Sequence, residues 1–285
     1  MPTVAVVGGE SNPTNLDLVR KWQALGIDAC LLSGAEARHE LRPGDVAVGR
    51  LDVLPTLDGI EDGLLELLEL RADGIRVVNT ARALLNAHDK LRTAQRLSIA
   101  GVPHVPTQHV RKLQEVELRP PLVVKPRFGS WGADVLRCDD EEALSTVFAE
   151  IAQRHWFKKH GAIVQPLIAP MGRDLRIIVA GGLVVGAESC VSAPGEWRTN
   201  ISLGGTRLPT AAWPGPSEIA LAATAAVDAD FVGVDLLPSS NGYLVLEVNG
   251  AVEFDGTYSV GGDVYEQSAD ALGLHGAPIA APAFL

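Results

Sequence analysis

Cysteine is scarce in this 285-residue chain: Cys30, Cys138 and Cys190 stand far apart and form no CxxC. They read as ordinary reduced thiols, as in a cytosolic protein. Positive charge is also in deficit, with 24 Lys and Arg against 35 Asp and Glu and a net charge of −11. Nucleic-acid backbones and anionic membranes demand clustered Lys and Arg, so neither is an expected partner. Any polyanion held here must be small and locally gripped. Long apolar runs are missing too. The most apolar later stretch, Ile177 to Ala187, is broken by Gly181 and Gly182 and is too short to span a bilayer. Met1-Pro-Thr-Val-Ala-Val-Val has neither a positive segment nor a long apolar one, so no secretory signal is expected. The Asn200-Ile201-Ser202 triplet then means nothing as a glycosylation site. A soluble, cytoplasmic protein is the expectation. Aromatics make up only 5%, whereas 29 glycines and 18 prolines suit many tight strand–loop–helix junctions. With 47% hydrophobic residues the chain can bury a substantial core, as one large domain or as packed subdomains.

Three regions follow one another. Val4–Val7, Ala29–Leu32, Val46–Val48 and Val77–Val78 read as strands, with helices over Leu16–Leu25 and Leu64–Leu70. That alternation predicts a small α/β domain with a parallel sheet over residues 1–85. Gly8-Gly9-Glu10 completes no GxGxxG, and a tight strand-to-helix turn is the better reading. The second region, 86–165, opens with a helix from about His88 to Ala100, stopped by Gly101 and Pro103. Val105-Pro106-Thr107 looks like an entering strand. Leu122–Pro126 is a strand that runs into a glycine-rich turn, then a helix from Glu141 to about Phe157 and the strand Ala162–Gln165. The third region, 166–285, is strand-rich: Leu175–Ala180, Leu183–Ala187, Phe231–Leu237 and Tyr243–Val248, with one helix at about Ser217–Ala229. The tail Ala277–Leu285 reads as loosely ordered.

The sharpest signal is Val232-Gly-Val-Asp-Leu through Leu246-Glu-Val-Asn249, two strands around the turn Pro238–Gly242. Folded as a hairpin, it brings Asp235 opposite Glu247 or within about one residue of it. Strand alternation puts Glu247 and Asn249 on one face, with Leu246 and Val248 turned away. Carboxylates among such apolar neighbours are costly unless they hold something. Two carboxylates and an amide carbonyl suit a hard cation such as Mg²⁺, with positions left for phosphate oxygens. The bland alternative is an exposed hairpin with a solvated polar face.

Val124-Lys125-Pro-Arg-Phe-Gly129-Ser130-Trp131-Gly132 is a strand, a lysine and a small-residue loop. Glycine lets backbone N–H groups approach phosphate, and Lys125 adds a point charge. It is no Walker A loop, and alone such a segment is more often a hairpin turn. Lys90 stands where it can reach the same phosphates. Gln165-Pro166-Leu167-Ile168 leads toward Asp174 and Arg176, a hinge suited to an adenine ring. Asp174 would meet the ribose or orient the site, and Arg176 would face the reacting acyl group. Arg198, Thr199 and Asn200 precede the pair Gly204-Gly205, and Arg198 is a candidate for stabilising charge during transfer. Arg176 and Arg198 taken singly are equally readable as surface ion-pair formers. Trp131 reads either as a lid over the nucleotide or as packing.

In order, His88-Asp-Lys90, Val123-Val-Lys-Pro126 with Gly129-Ser-Trp-Gly132, Asp174-Leu-Arg176, Trp197-Arg-Thr-Asn200 with Gly204-Gly205, Gly233-Val-Asp-Leu236 and Glu247-Val-Asn249 resemble the ATP-grasp superfamily. The branch is that of the glutamate ligase RimK and the carrier-protein ligase LysX. The resemblance covers about residues 88–255 and implies an α/β (α+β) ATP-grasp fold. Its parts would be an N-terminal parallel α/β domain, a central α+β subdomain and a C-terminal antiparallel-sheet subdomain. It implies that Lys90 and Lys125 contact ATP phosphates, that Gln165–Ile168 holds adenine near Asp174, and that Arg198 to Asn200 sit at the phosphate and acyl end. Asp235, Glu247 and Asn249 would bind Mg²⁺ or Mn²⁺, as two ions. Two features depart from the RimK pattern. Pro166 lacks an N–H, so adenine contacts must come from its carbonyl and the amides beyond. Gly250-Ala-Val-Glu253-Phe254 looks more like LysX than RimK.

The implied activity is an ATP-dependent carboxylate–amine ligation through an acyl-phosphate, most of it positioning by Lys90, Lys125, Arg176, Arg198 and Asn200. No GxSxG, HExxH or Cys/His pairing suggests covalent catalysis. An amino acid and a carboxylate-bearing peptide, carrier protein or small molecule are the implied partners, and a homodimer or homotetramer is a family expectation. A small-molecule kinase and a non-catalytic ATP-binding module are the alternatives, the latter disfavoured by the arginines beyond the nucleotide.

Overall fold

The computed structural model describes residues 2–169, 171–211 and 213–275; the tail reading at Ala277–Leu285 lies outside them. Four short apolar strands, β1 (Val4–Val7), β2 (Ala29–Leu32), β3 (Val46–Gly49) and β4 (Arg76–Val78), form a parallel sheet in the order β2-β1-β3-β4. Helices α1 (Pro13–Ala24), α2 (Gly34–Glu40) and α3 (Leu64–Ala72) make the crossovers. α2 was not expected; Ser33 caps it, with Glu36 returning to the Ser33 amide at 2.8 Å. Gly8 is needed less for a turn than for room, since a Cβ there would lie 2.5 Å from the Arg50 carbonyl oxygen.

The expected boundary after residue 85 falls inside α4 (Ala81–His88), and α5 (Lys90–Ile99) starts two residues on. Asp89 separates them, its side chain accepting from the amides of Leu91 and Arg92. Val105–Thr107 is no strand. Instead the Val105 amide donates to Val245 O at 3.1 Å, and β5 begins at Gln108 (Gln108–Val110). The second sheet is antiparallel, β5-β8-β6-β7, from β6 (Leu122–Pro126), β7 (Leu136–Cys138) and β8 (Ala162–Pro166). The long helix expected over 141–157 is split into α6 (Glu141–Ile151) and α7 (His155–His160).

The third sheet runs β11-β10-β9-β12-β13, all antiparallel. Its strands are β9 (Arg173–Ala180), β10 (Leu183–Val191), β11 (Thr206–Pro209), β12 (Phe231–Ser239) and β13 (Gly242–Asn249). Helix α8 (Pro214–Ala226) packs on one face; α9 (Val264–Ala271), not foreseen, packs on the other. Val4, Val6, Leu18 and Trp22 share a single core with Ile178, Phe231, Phe254 and Tyr265, so the first and third sheets are welded together. Asn79 adds a polar rivet. It donates to Phe231 O at 2.5 Å and accepts from the Asp230 and Phe231 amides at 3.0 Å. Among the described residues no helix is long and apolar enough to cross a membrane.

Candidate active site

The β12–β13 hairpin closes at Ser239↔Gly242 and pairs Asp235 directly with Glu247. A bulge follows, because Leu236 pairs with Val245 and leaves Leu246 unpaired. Leu246 therefore lines the clefts beside Glu247, a correction to the simple alternation that turned it away. Asp235 is 5% exposed, and both its oxygens are taken by Arg176, at 2.6 Å from Nε and 2.7 Å from Nη2. Arg176 lies beside Asp235 on the adjoining strand, so its charge goes first to this carboxylate rather than to an acyl group. Burial and Glu247 push Asp235 up, against the pull of Arg176. Burial alone would also raise Glu247, but Lys90, Lys125 and Arg176 outweigh it and hold the carboxyl down at about 2.

Asn249 Nδ2 lies 3.4 Å from Asp235 Oδ2, which completes a group of two carboxylates and one amide. Among the described residues no three His, Cys, Asp or Glu side chains converge as a metal cage. The donor set nevertheless fits a hard divalent cation that takes its remaining oxygens from phosphates. Each carboxylate oxygen offers two lone-pair sites, so Arg176 and a cation can share Asp235.

Lys90 reaches Glu247 Oε2 at 3.3 Å and donates to Gly129 O at 2.6 Å, tying α5 to both the hairpin and the glycine loop. Lys125, 4% exposed on β6, is lowered to about 8 by burial and then by Lys90, against the pull of Glu247 and Asp235. Behind them Arg127 makes a two-pronged ion pair with Asp89, at 2.7 and 2.6 Å. The loop beyond turns left-handed at Trp131 and Gly132, with φ of 60° and 73°. A Cβ on Gly132 would stand 2.8 Å from Asn200 Oδ1, so the loop leans against the segment that carries Asn200. Ser202 Oγ donates to Trp131 O at 2.8 Å, and Arg198 Nη1 to Val135 O at 3.3 Å. Arg198 also grips Glu196 through Nε and Nη2, each at 3.0 Å.

At the hinge, Gln165 Nε2 donates to Thr107 Oγ1 at 2.8 Å, and the Leu167 amide donates to Pro121 O at 2.9 Å. Leu167 is thereby committed, so the first hinge amide left for a ligand is that of Ile168. Asp174 accepts from the Thr199 hydroxyl. Burial and the neighbouring Asp235 push it up to about 7.

Two clefts meet here. The first encloses about 990 Å³, counting space open to solvent. Lys90, Lys125, Gly129, Ser130, Gly132, Gln165, Pro166, Leu167, Ile168, Asp174, Arg198, Thr199, Asn200 and Glu247 line it. The second, about 800 Å³, is lined by Trp131, Arg176, Asp235 and Asn249 together with Ser130, Asp174, Thr199, Asn200 and Glu247. Trp131 lines the second cleft and not the first. Sequence reasoning missed the apolar wall of the first cleft, Val105, Met171, Leu237 and Leu246, and the charged wall of the second, Asp52, Arg207 and Glu253. Leu237 stands two residues from Asp235, close enough for strand alternation to have suggested it. Asp52 and Arg207 carried no signal.

Residues 82–272 match the family model described as RimK-like ATP-grasp domain. The Glutamate--LysW ligase ArgX of Sulfurisphaera tokodaii is 31% identical over 228 residues, covering 76% of this chain and 80% of its own length. The tetrahydromethanopterin:alpha-L-glutamate ligase of Methanosarcina acetivorans is 28% identical over 257 residues, covering 78% of this chain and 79% of its own. Among solved structures, D-cycloserine synthetase DcsG is similar with a TM-score of 0.70 at 20% identity, covering 95% of this chain and 99% of its own. At that identity the likeness is one of fold.

Proposed function

This chain belongs to the RimK-like ATP-grasp family of ATP-dependent C–N ligases, and from that premise we propose that it adds glutamate or a related amino acid to a carboxylate through an acyl-phosphate. The carboxylate would belong to a peptide, a carrier protein or a small molecule. Both relatives named above carry glutamate in their names, which supports the amino acid. The observation that carries the reading is the common wall of the two clefts. Ser130, Asp174, Thr199, Asn200 and Glu247 line both, so a nucleotide in one presents its terminal phosphate to a substrate in the other.

The roles follow from position. Ile168 and the apolar wall take the adenine, while Lys90 and Lys125 take phosphate oxygens. Arg198 and Asn200 lie where phosphoryl and acyl charge develops, and their anchoring to Glu196 and the glycine loop preorganises them. Asp235, Glu247 and Asn249 would hold Mg²⁺, as one or two ions. When bound, the cation offsets the phosphate charge and orients the transfer. Amide formation from a free carboxylate is uphill, so the γ-phosphoryl must first make a mixed anhydride that is kept from water. The amine then displaces phosphate, leaving an amide, ADP and phosphate.

The test supplies ATP, Mg²⁺, an amino-acid panel and candidate carboxylate acceptors, and reads ADP, phosphate and product mass. Amine-dependent ADP release with an amide product is expected. A stable phosphorylated product, or ADP release indifferent to every amine, overturns the reading.

A further inference from the structure

The second cleft holds two cations, and they differ in how far they are committed. Arg176 spends its donors on Asp235 at 2.6 and 2.7 Å. Arg207, on the edge strand β11, has carboxylates only at longer range: Asp255 Oδ2 lies 3.4 Å from Nη1, and Glu188 Oε2 lies 3.6 Å from Nε. Its Nε and Glu188 Oε2 face each other at that distance, and among the described residues neither buried atom makes a shorter hydrogen bond. The Thr257 hydroxyl donates to the other Glu188 oxygen at 2.8 Å. Tyr258 lies under the guanidinium, 5.5 Å from ring centroid to Cζ, a contact that supports its face and leaves its edge to polar partners. A half-buried guanidinium held only in two long ion pairs, and lining a cleft, is suited to a carboxylate that approaches more closely.

Arg207 lines the second cleft and not the first, so an anion bound there is a second substrate and not the nucleotide. The rest of that wall argues that the ligand also carries positive charge. Asp52 and Glu253 line the same cleft, and burial followed by their mutual repulsion raises Glu253 above the ordinary carboxylate range. An ammonium group beside them relieves that repulsion, whereas a second anion worsens it. Arg207 and Asp52 both act on Glu253, so a guanidinium and two carboxylates stand near one another in this cleft, as the two charges of an amino acid require.

We infer that Arg207 is the specificity residue for the amine-bearing substrate: it anchors a free carboxylate of the amino acid whose amine attacks the acyl-phosphate. The assignment rests on the ligase reading above and names the part of the amino acid that the enzyme senses. Arginine, unlike lysine, offers a carboxylate two parallel hydrogen bonds, so charge alone should not restore full preference.

The experiment compares L-glutamate, its α-carboxamide (isoglutamine) and its γ-carboxamide (glutamine) as amine substrates for wild type, R207Q and R207K. In R207Q, kcat/KM for glutamate should fall about 10- to 100-fold, while that for one of the two carboxamides stays within about threefold. The carboxamide that is spared identifies the carboxylate held by Arg207. R207K should keep part of the preference, and it provides the same reading if R207Q does not fold. The KM for ATP should stay unchanged in both. An equal fall for all three amines means Arg207 only braces β11, and an unchanged glutamate preference removes it from the site; either overturns the assignment while the ligase reading stands. Failure of the wild type to turn over any of the three overturns the glutamate reading, and this inference falls with it.

Discussion

Asp235 and Glu247 face each other across one hairpin yet answer to different cations, Arg176 on the sheet side and Lys90 on the helix side. Burial raises Asp235, whereas the surrounding lysines and arginine carry Glu247 down to about 2. Glu247 is therefore anionic at any working pH and is the better first ligand for a cation. E247Q and D235N should each lower turnover by about a hundredfold or more. E247Q should also raise the Mg²⁺ concentration needed for half-maximal ADP release. Near-normal Mg²⁺-dependent rates in both variants would mean that the ligands are wrongly assigned.

Lys125 titrates near 8, so its charge is half lost at mildly alkaline pH. Nucleotide binding favours the charged form, and ATP affinity should fall by up to about tenfold per pH unit above that point. Direct titration of ATP between pH 6.5 and 9.5 checks this, with K125M expected to bind weakly and with a flatter profile. The sign for folding is opposite. The folded pKa lies below the ordinary value of 10.5, so the unfolded chain binds more protons between the two and this group's contribution to stability rises with pH there.

Asp89 caps α5 and pairs with Arg127 while only 2% exposed. D89A removes both the cap and the ion pair and should cost about 2–5 kcal/mol in urea unfolding. D89N keeps the cap and should cost less. Because Lys90 is the next residue, D89A should also raise the KM for ATP. A loss below about 0.5 kcal/mol would show that the pair is merely a surface contact.

Gly132 combines a φ of 73° with a Cβ position 2.8 Å from Asn200 Oδ1. G132A must strain the loop by about 1–2 kcal/mol or displace Asn200. Activity should fall at least tenfold while the melting temperature drops by only a few degrees. Full activity would show that the loop and Asn200 move independently.

Much of the site could be read along the chain because its parts are local. A short turn between apolar strands brings Asp235 within one residue of Glu247, the bulge at Leu246 makes the pairing direct, and a lysine at a strand end before glycines suggests a phosphate grip without knowledge of the rest. What could not be read along the chain lies where one residue's neighbours come from elsewhere. Leu246 faces the clefts because of a bulge that no periodicity announces. The Leu167 amide is used by Pro121, a partner supplied by a separate segment. Trp131 sits on a left-handed turn that sends it to the second cleft.

The chain's own order of residues thus determined the strands, the carboxylate hairpin, the glycine loop and the class of chemistry, since each depends on spacing within a few residues. Only the tertiary structure decided which arginine is held by close hydrogen bonds and which by longer ion pairs alone. Arg176 meets Asp235 across adjoining strands, whereas Arg207 meets its carboxylates only at the edge of the same sheet. Ion pairing depends on distance in space, and residues far apart in the chain come within a few ångströms only after the sheets have packed.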